Sequence, residues 1–400
     1  MKKHILKNGI TLLLEKTSSR CMVIQAMVKT GSNDEKDGIR GIAHFFEHML
    51  FEGTEKRKDS KEIAAVIEDV GGEMNAYTNS EVTAYHIKVL SKHADLAIDV
   101  LSDMLLHSVF PVKMVEKERK VILKEAHMVH DDPRYYKWEF FQKTIFRKHP
   151  MRHPTLGTVK DIKGMTREKL VHFYRTHYLP KNMIISVIGN VKRIKERIEK
   201  AFSLEDGKLA KRTPHPPEGK LSSVRRSYEK RKVQSAYTVL GFLTPGQDHP
   251  DAYSLDIIEA ILGKGQSGRV FDAIRTRNGL SYEVGVRLDL GKDIGYIAAH
   301  ASTDSSKAKF AQKLMLEEFR RPFTKKEVED AKTFLEGNFI LEQEVPEDRA
   351  DELCFMEYCK GAQHIEEYVK GIKSVPHKKI LRMQKKYFSG NYAVAVIGPK

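Results

Sequence analysis

Residues 182–190 of this chain are NMIISVIGN, and residues 391–399 are NYAVAVIGP. Each stretch follows a segment with helical periodicity, which begins after IKGMT at 162–166 and after IKSVP at 372–376. The two copies are about 210 residues apart, and internal similarity at a fixed spacing is typical of a duplicated structural unit. The sequence therefore predicts two copies of one α/β unit, each closing with a helix and a buried strand.

The join between the two units is predicted from a change of composition. Pro214, Pro216 and Pro217 lie in a stretch with little apolar content, which is typical of a stiff, extended linker. The predicted organisation is a first domain at 1–210, a linker at 211–225 and a homologous second domain at 226–400. The fold class is α+β, in which each domain is a mainly antiparallel sheet covered by helices.

Composition places the chain among globular proteins. Its 400 residues are 40% hydrophobic and 31% charged, and no apolar run approaches the roughly 18 residues that a transmembrane helix needs. The basic N-terminus is followed by an apolar run too short for a secretory signal, so a cytoplasmic location is expected. Three scattered cysteines match no disulfide framework and are expected to be buried, reduced thiols.

The net charge of +15 raises the question of a nucleic-acid partner or an anionic membrane. The basic residues are interleaved with acidic ones, as in EKERK at 116–120, and no nucleic-acid-binding module is recognisable. A solvated basic surface or a preference for acidic peptides is the favoured interpretation, and neither a nucleic-acid nor a membrane partner is predicted.

Residues 44–48, HFFEH, are the strongest functional signal. On a helix, His44 and His48 lie one turn apart on one face and can share a metal ion. Glu47 flanks that face and is placed to accept a proton from water at the metal, in the H-x-x-E-H order of inverted zinc proteases. The pentapeptide alone also fits two surface histidines on a helix whose phenylalanines are core.

A zinc site of this kind needs a third protein ligand. Residues 115–125 are strongly helical, and Glu118 and Glu125 lie two turns apart along one face of that helix. Glu125 is a candidate ligand, and Glu118 is a candidate acceptor for the far nitrogen of a ligand histidine. Spacing alone equally allows both glutamates to face solvent.

Residues 41–54, GIAHFFEHMLFEGT, resemble the signature of the pitrilysin/insulinase metallopeptidases. The branch most similar contains the mitochondrial processing peptidases and their bacterial and archaeal relatives of about 400 residues. The resemblance implies one Zn²⁺ per chain, with Glu47 as the catalytic base. The ligands that it implies are His44, His48 and Glu125. Glu125 lies 77 residues after His48, in the context VILKE, and Glu118 occupies the position of a glutamate that supports the ligands.

Two further stretches resemble the same family. Residues 71–78, GGEMNAYT, are similar to an edge strand whose backbone pairs with extended substrate. The positions implied in substrate binding are Asn75, Ala76 and Tyr77. Residues 268–282 match the family's R-x6-Y region, which implies that Arg275 and Tyr282 grip the substrate backbone or its reacting carbonyl oxygen.

The function that follows is zinc-dependent endopeptidase activity on unfolded peptides or short polypeptides. In longer family members four such units form two halves that close like a clamshell, and this chain supplies two units. A homodimer enclosing a chamber is therefore expected, or a heterodimer with a related subunit. The alternative is a non-catalytic structural or regulatory member of a complex, but such members usually have a damaged zinc motif, and here it is intact.

Overall fold

The computed structural model describes residues 1–203 and 214–399. The described strands are β1 (Lys2–Ile5), β2 (Thr11–Glu15), β3 (Cys21–Val28), β4 (Glu73–Thr78), β5 (Thr83–Leu90), β6 (Met183–Ile188), β7 (Arg225–Arg231), β8 (Ser235–Pro245), β9 (Val284–Leu290), β10 (Ile294–Asp304) and β11 (Ala393–Pro399). The described α-helices are α1 (Ile42–Met49), α2 (Ser60–Glu68), α3 (Ala94–His107), α4 (Val112–Asp131), α5 (Pro133–Ile145), α6 (Val159–Lys163), α7 (Arg167–His177), α8 (Ile194–Ala201), α9 (Ala252–Gly263), α10 (Arg269–Phe271), α11 (Ala308–Arg320), α12 (Lys325–Gln343), α13 (Pro346–Cys359), α14 (Tyr368–Ser374) and α15 (His377–Phe388).

The first compact unit is built on a sheet with the strand order β1-β2-β6-β3-β5-β4. Strands β2 and β6 are parallel, and the other neighbouring pairs are antiparallel. Helices α1 and α3 contact β5, and their apolar side chains form the main core with residues of β3 and β6. Strand β4 is an edge strand, because it pairs with β5 alone within the described residues.

The second unit repeats this arrangement with the strand order β7-β11-β8-β10-β9. Strand β11 is parallel to β7 and antiparallel to β8, as β6 is parallel to β2 and antiparallel to β3. The duplicated stretches of sequence thus form equivalent strands. The predicted fold class is confirmed: each unit combines a mainly antiparallel sheet with packed helices.

Each compact unit includes one helix from the other half of the sequence. Unit one comprises Met1–His127, His153–His215 and Glu342–Ile365, and unit two comprises Met128–Arg152, Pro216–Leu341 and Glu366–Lys400. These units differ from the expected contiguous domains 1–210 and 226–400. The difference has a physical cause: the inner strands of each sheet are buried on both faces, and the second face is covered by a helix from the other half of the sequence.

Helix α13 covers the second face in unit one, where it contacts β3 and β6, and all six side chains of β6 are buried. Helix α5 has the same position in unit two, against β8 and β11, where Phe141 and Ile145 are fully buried. The predicted linker at 211–225 begins among residues outside the description, and its described part leads into β7 at Arg225.

The described cysteines are free thiols: Cys354 and Cys359 are buried, and Cys21 is half-buried. Across residues 1–203 and 214–399, none of the helices combines the length and the apolar character needed to cross a membrane.

Candidate metal centre

Helix α1, which holds the HFFEH motif, begins at a tightly constrained glycine. Gly41 has φ of 90°, and a side chain there would lie 2.3 Å from the carbonyl oxygen of Leu156. The backbone N–H groups of Gly41 and Ala43 donate to the two carboxyl oxygens of Glu35, at 2.7 and 2.9 Å. A buried glutamate from an earlier loop therefore caps the helix, since the first N–H groups of a helix lack partners within it.

The two faces of α1 differ sharply. Phe45, Phe46 and Met49 are fully buried in the core of unit one. His44 and His48 project together from another face, with their ring centroids 4.7 Å apart. The apolar face fixes the helix, and the i, i+4 spacing then places both imidazoles side by side.

His44, His48 and Glu125 meet in one cluster, in which one ligand atom from each lies within 4.8 Å of the others. The Nε2 atoms of His44 and His48 are each 3.7 Å from a different carboxylate oxygen of Glu125. These separations are too long for hydrogen bonds. They suit ligands of one ion, because two atoms bound at 2.0–2.2 Å to tetrahedral zinc lie about 3.3–3.6 Å apart. The donor set of two imidazoles and one carboxylate is also that of catalytic zinc sites, so the residues present fit this metal.

Glu118 fixes the orientation of His48. Its Oε2 lies 3.1 Å from His48 Nδ1, which leaves Nε2 directed at Glu125. Lys117 Nζ lies 3.4 Å from the other oxygen of Glu118 and donates to both carboxyl oxygens of Glu52, at 2.9 and 3.0 Å. Burial alone would raise the pKa of Glu118, but the hydrogen bond to His48 and the charges of His48 and Lys117 lower it below its usual value.

The pKa values of the two histidines are shifted in opposite directions. Burial, together with the charge of His48, lowers the pKa of His44 to about 3, so that its imidazole is neutral and free to bind metal. Burial alone would lower the pKa of His48, but the hydrogen bond to Glu118 and the surrounding carboxylates raise it. Burial raises the pKa of Glu125, although the charge of His48 opposes the rise. Because the ligands bind metal as neutral imidazole and carboxylate, protons at His48 and Glu125 compete with the metal for these sites.

Glu47, the expected catalytic base, is held by a residue of the edge strand. The Thr78 hydroxyl donates to Glu47 Oε2 at 2.5 Å. Burial raises the pKa of Glu47, while the Thr78 hydrogen bond and the charge of His48 oppose the rise. A carboxylate with a raised pKa is a better proton acceptor near neutrality than an exposed glutamate.

The three expected substrate-binding positions lie on β4, next to the motif helix α1. Asn75 is exposed, and its side-chain oxygen accepts a hydrogen bond from the N–H of Ala76 at 2.8 Å. The side chain of Tyr77 is used within the unit, since its hydroxyl donates to Asp351 at 2.5 Å. The binding of substrate by the backbone of this strand stays a prediction.

Arg275 and Tyr282 lie in unit two and contact each other. Arg275 occupies a π-helical turn at Asp272–Thr276 that continues α10, and such turns are frequent at functional sites. Its guanidinium lies 5.0 Å from the Tyr282 ring centroid and donates to the Tyr282 carbonyl oxygen at 3.3 Å. The Tyr282 side chain is 88% exposed and available to a ligand. Their role towards substrate stays a prediction.

Three residues of this region are not among the predicted site residues: Glu35, Thr78 and Asp351. Glu35 precedes His44 by nine positions and Asp351 follows Tyr77 by 274, so no local pattern connects either with the site. Thr78 gave a usable signal. It ends the stretch that resembles a substrate-binding strand, and side chains alternate along a strand, so Thr78 is expected to face the side opposite to Tyr77.

Comparison with family models gives two matches. Residues 11–159 match the model described as insulinase (peptidase family M16), and residues 164–335 match the model described as peptidase M16 inactive domain. The second match covers most of unit two and excludes all three residues of the metal cluster.

Relatives of known sequence match over the whole chain. An uncharacterized zinc protease of Rickettsia felis is 32% identical, and the match covers 98% of this chain and 96% of the relative. The uncharacterized zinc protease YmxG of Bacillus subtilis is 29% identical over 100% of this chain and 98% of the relative. Among solved structures, a protease from Helicobacter pylori has a TM-score of 0.95 at 24% identity, covering 100% of this chain and 99% of that chain. At 24% identity, the likeness to the Helicobacter pylori protease shows a shared fold.

Proposed function

Because this chain belongs to the insulinase family of peptidases (peptidase family M16), we propose that it is a zinc-dependent endopeptidase acting on unfolded peptides or short polypeptides. The observation that supports this activity most strongly is the convergence of His44, His48 and Glu125, with Glu47 beside them on the same helix as the histidines.

In this proposal the three ligand residues hold one zinc ion per chain. When bound, zinc supplies a Lewis acid that polarises a peptide carbonyl and makes water acidic enough to lose a proton near neutral pH. Glu47 accepts that proton and passes it to the leaving amine, so that water adds to the carbonyl carbon and the C–N bond breaks. Thr78 keeps one Glu47 oxygen engaged, which leaves the other oxygen for the water.

Strand β4 is the proposed binding edge for substrate. It has a free edge within the described residues, and an extended peptide adds to such an edge through backbone hydrogen bonds. The Asn75 side-chain oxygen accepts from the Ala76 N–H, so the carbonyl of an incoming peptide would compete with this local contact. Recognition through the backbone would favour unfolded over folded substrates.

We further propose that two chains form a homodimer around a chamber, in which Arg275 and Tyr282 serve the site of the partner. A mixture of Glu47→Gln and Arg275→Ala proteins tests this, since each is expected to be inactive alone. Random exchange of subunits should restore about a quarter of wild-type activity, because half of the dimers are mixed and each has one complete site. Demonstrated subunit exchange without recovered activity would rule out this arrangement. A related subunit in place of the second copy would appear as an active heterodimer.

The peptidase itself is tested with a quenched fluorescent library of extended peptides of about 10–30 residues, long enough to pair along the strand. Wild type, Glu47→Gln and chelator-treated protein are compared, and zinc is quantified in each. We expect chelator-sensitive cleavage that Glu47→Gln abolishes while it retains zinc. Bound zinc without cleavage by any dimer would contradict the peptidase and favour a non-catalytic member of a complex.

A further inference from the structure

Strand β4 is fixed on both of its faces by side-chain hydrogen bonds. On one face Thr78 donates to Glu47 of the motif helix. On the other face the Tyr77 hydroxyl donates to Asp351 Oδ1 at 2.5 Å. Successive side chains of a strand point to opposite faces, so these two neighbours hold the strand from both sides.

Asp351 also joins β4 to the centre of the sheet. The same Oδ1 atom accepts a hydrogen bond from Gln25 Nε2 at 2.6 Å. Gln25 lies on β3 and is buried, and its neighbour on β5 is His86, which in turn is opposite Asn75 on β4. One carboxylate therefore bonds both the central strand and the edge strand, with β5 between them.

Asp351 is itself held rigidly, because helix α13 is fastened around it. Arg349 binds both carboxyl oxygens of Glu15, at 3.0 and 2.7 Å. The Ala350 carbonyl accepts from the buried Ser186 hydroxyl at 2.9 Å, and Leu353 is fully buried. The acceptor that Tyr77 meets is thus a fixed point on the far face of the sheet.

From these contacts we infer that Asp351 is a positioning residue for the peptide-binding strand, acting through Tyr77. This inference rests on the proposed function, since it assumes that substrate pairs with β4. The Tyr77–Asp351 bond fixes the position of β4 relative to α1. It thereby places the free edge of the strand beside the face of α1 that holds His44 and His48. Thr78 has its own bond to Glu47, so loss of the Tyr77 bond should disturb peptide binding more than the proton transfer.

The test compares Tyr77→Phe and Asp351→Asn with Asp351→Ala. Peptide affinity is measured with a fluorescent extended peptide on zinc-loaded protein that also has Glu47→Gln, so that binding is read without turnover. KM and kcat are measured in the otherwise wild-type protein. Tyr387→Phe is the matched control, because it removes a tyrosine hydroxyl that donates to Asp251 at 2.8 Å in unit two.

Tyr77→Phe should raise Kd and KM about threefold to tenfold, with a smaller fall in kcat, because the bond acts on peptide binding only through the position of β4 and so has the effect of an ordinary hydrogen bond. Asp351→Asn retains an oxygen acceptor and should lie between wild type and Asp351→Ala. Zinc content and the Tyr387→Phe control should match the wild type.

Two results would overturn the inference, and they are distinguishable from a failure of the proposed function. If wild type cleaves and Tyr77→Phe has unchanged Kd and KM, with only its thermal stability lowered, the bond is merely structural. If Tyr387→Phe raises KM and lowers kcat as much as Tyr77→Phe does, the effect is a general consequence of losing a tyrosine hydroxyl and is not specific to β4. If the wild type does not cleave peptide and the Glu47→Gln protein does not bind it, the proposed function fails first, and the inference fails with it.

Discussion

The Thr78 hydroxyl oxygen lies 2.5 Å from Glu47 Oε2, so the edge strand and the proposed catalytic base are directly bonded. A carboxylate with one oxygen engaged can turn only a little about its terminal bond. The bond therefore orients the free oxygen of Glu47, and it couples the strand proposed to bind substrate to the group proposed to move the proton.

Thr78→Val should lower kcat by about tenfold or more, because a hydrogen bond to a charged group contributes about 1.5–3 kcal/mol. Valine keeps the shape and the β-branching of threonine, so β4 should persist. The measurement is steady-state cleavage of a fluorescent peptide together with zinc content, which should not change.

Thr78→Ser is the matched control and should recover most of kcat, since it restores the hydroxyl. If the valine and serine variants are equally active, the hydroxyl has no part in orienting Glu47.

Removal of the charge on Glu118 should weaken zinc binding. Glu118 accepts from the Nδ1 of His48 and so directs the other ring nitrogen at Glu125, where zinc is proposed to bind. Loss of such a partner typically costs about 10–100-fold in metal affinity, and we expect this range for Glu118→Gln. The measurement is competition for zinc with a chromophoric chelator.

Glu116→Gln is the control for Glu118→Gln. Glu116 lies on the same helix and pairs with Arg119, with no contact to a ligand histidine. Equal zinc affinity in the two variants would mean that Glu118 acts only through the net charge of the helix.

Much of the metal centre follows from local sequence. The H-x-x-E-H spacing fixes the relation of His44, Glu47 and His48 because one short helix holds all three. Glu118 and Glu125 were also identifiable, since they share one face of α4. What joined the two helices was family resemblance, because spacing alone allowed both glutamates to face solvent.

The features that the sequence does not predict depend on tertiary contacts. The exchange of α5 and α13 cannot be derived from periodicity, because an apolar helix face does not specify which sheet it covers. The Asp351–Tyr77 bond depends on that placement of α13, so the sequence does not predict it either. The duplication itself was accessible, since β6 and β11 retained similar sequences in equivalent positions.

The docking of helix α13 through Arg349 should contribute measurably to stability. Arg349 forms a two-pronged ion pair with Glu15, and only 10% and 22% of their side chains are exposed. Arg349→Met should lower the free energy of unfolding by about 1–3 kcal/mol, between the values typical of exposed and of buried pairs. Urea unfolding of both single variants and of the double variant with Glu15→Gln gives the coupling energy.

The same pair predicts a pH dependence. Burial alone would raise the pKa of Glu15, but Arg349 lowers it below the ordinary 4.5. A lowered pKa in the folded state stabilises the protein above the ordinary pKa and loses this effect as the pH falls through the folded value. The stability difference between wild type and Arg349→Met should therefore shrink on acidification below about pH 4.5. A difference that stays constant down to pH 3 would contradict the role of this ion pair.

Glu35, which caps the motif helix, predicts a pH dependence of opposite sign. Burial raises its pKa to about 8, although the N–H groups of Ala43 and Gly41 oppose the rise. Above the ordinary pKa of 4.5, the unfolded chain releases this proton more readily than the folded protein. The stability that the raised pKa contributes is therefore complete below pH 4.5 and is lost as the pH rises to about 8.

The wild-type free energy of unfolding should fall over this range by up to about 1.4 kcal/mol per pH unit relative to Glu35→Gln, which cannot titrate. Urea unfolding of the two metal-free proteins at each pH from 5 to 8 measures the relative slope. Glu68→Gln, a change of an exposed glutamate on α2, controls for the loss of one acidic group. Parallel profiles for wild type and Glu35→Gln would mean that Glu35 is already ionised in the folded protein. In that case the helix is capped by a full negative charge, and Glu35→Gln should instead lower stability equally at every pH in the range, because it removes an ionised partner of two backbone N–H groups.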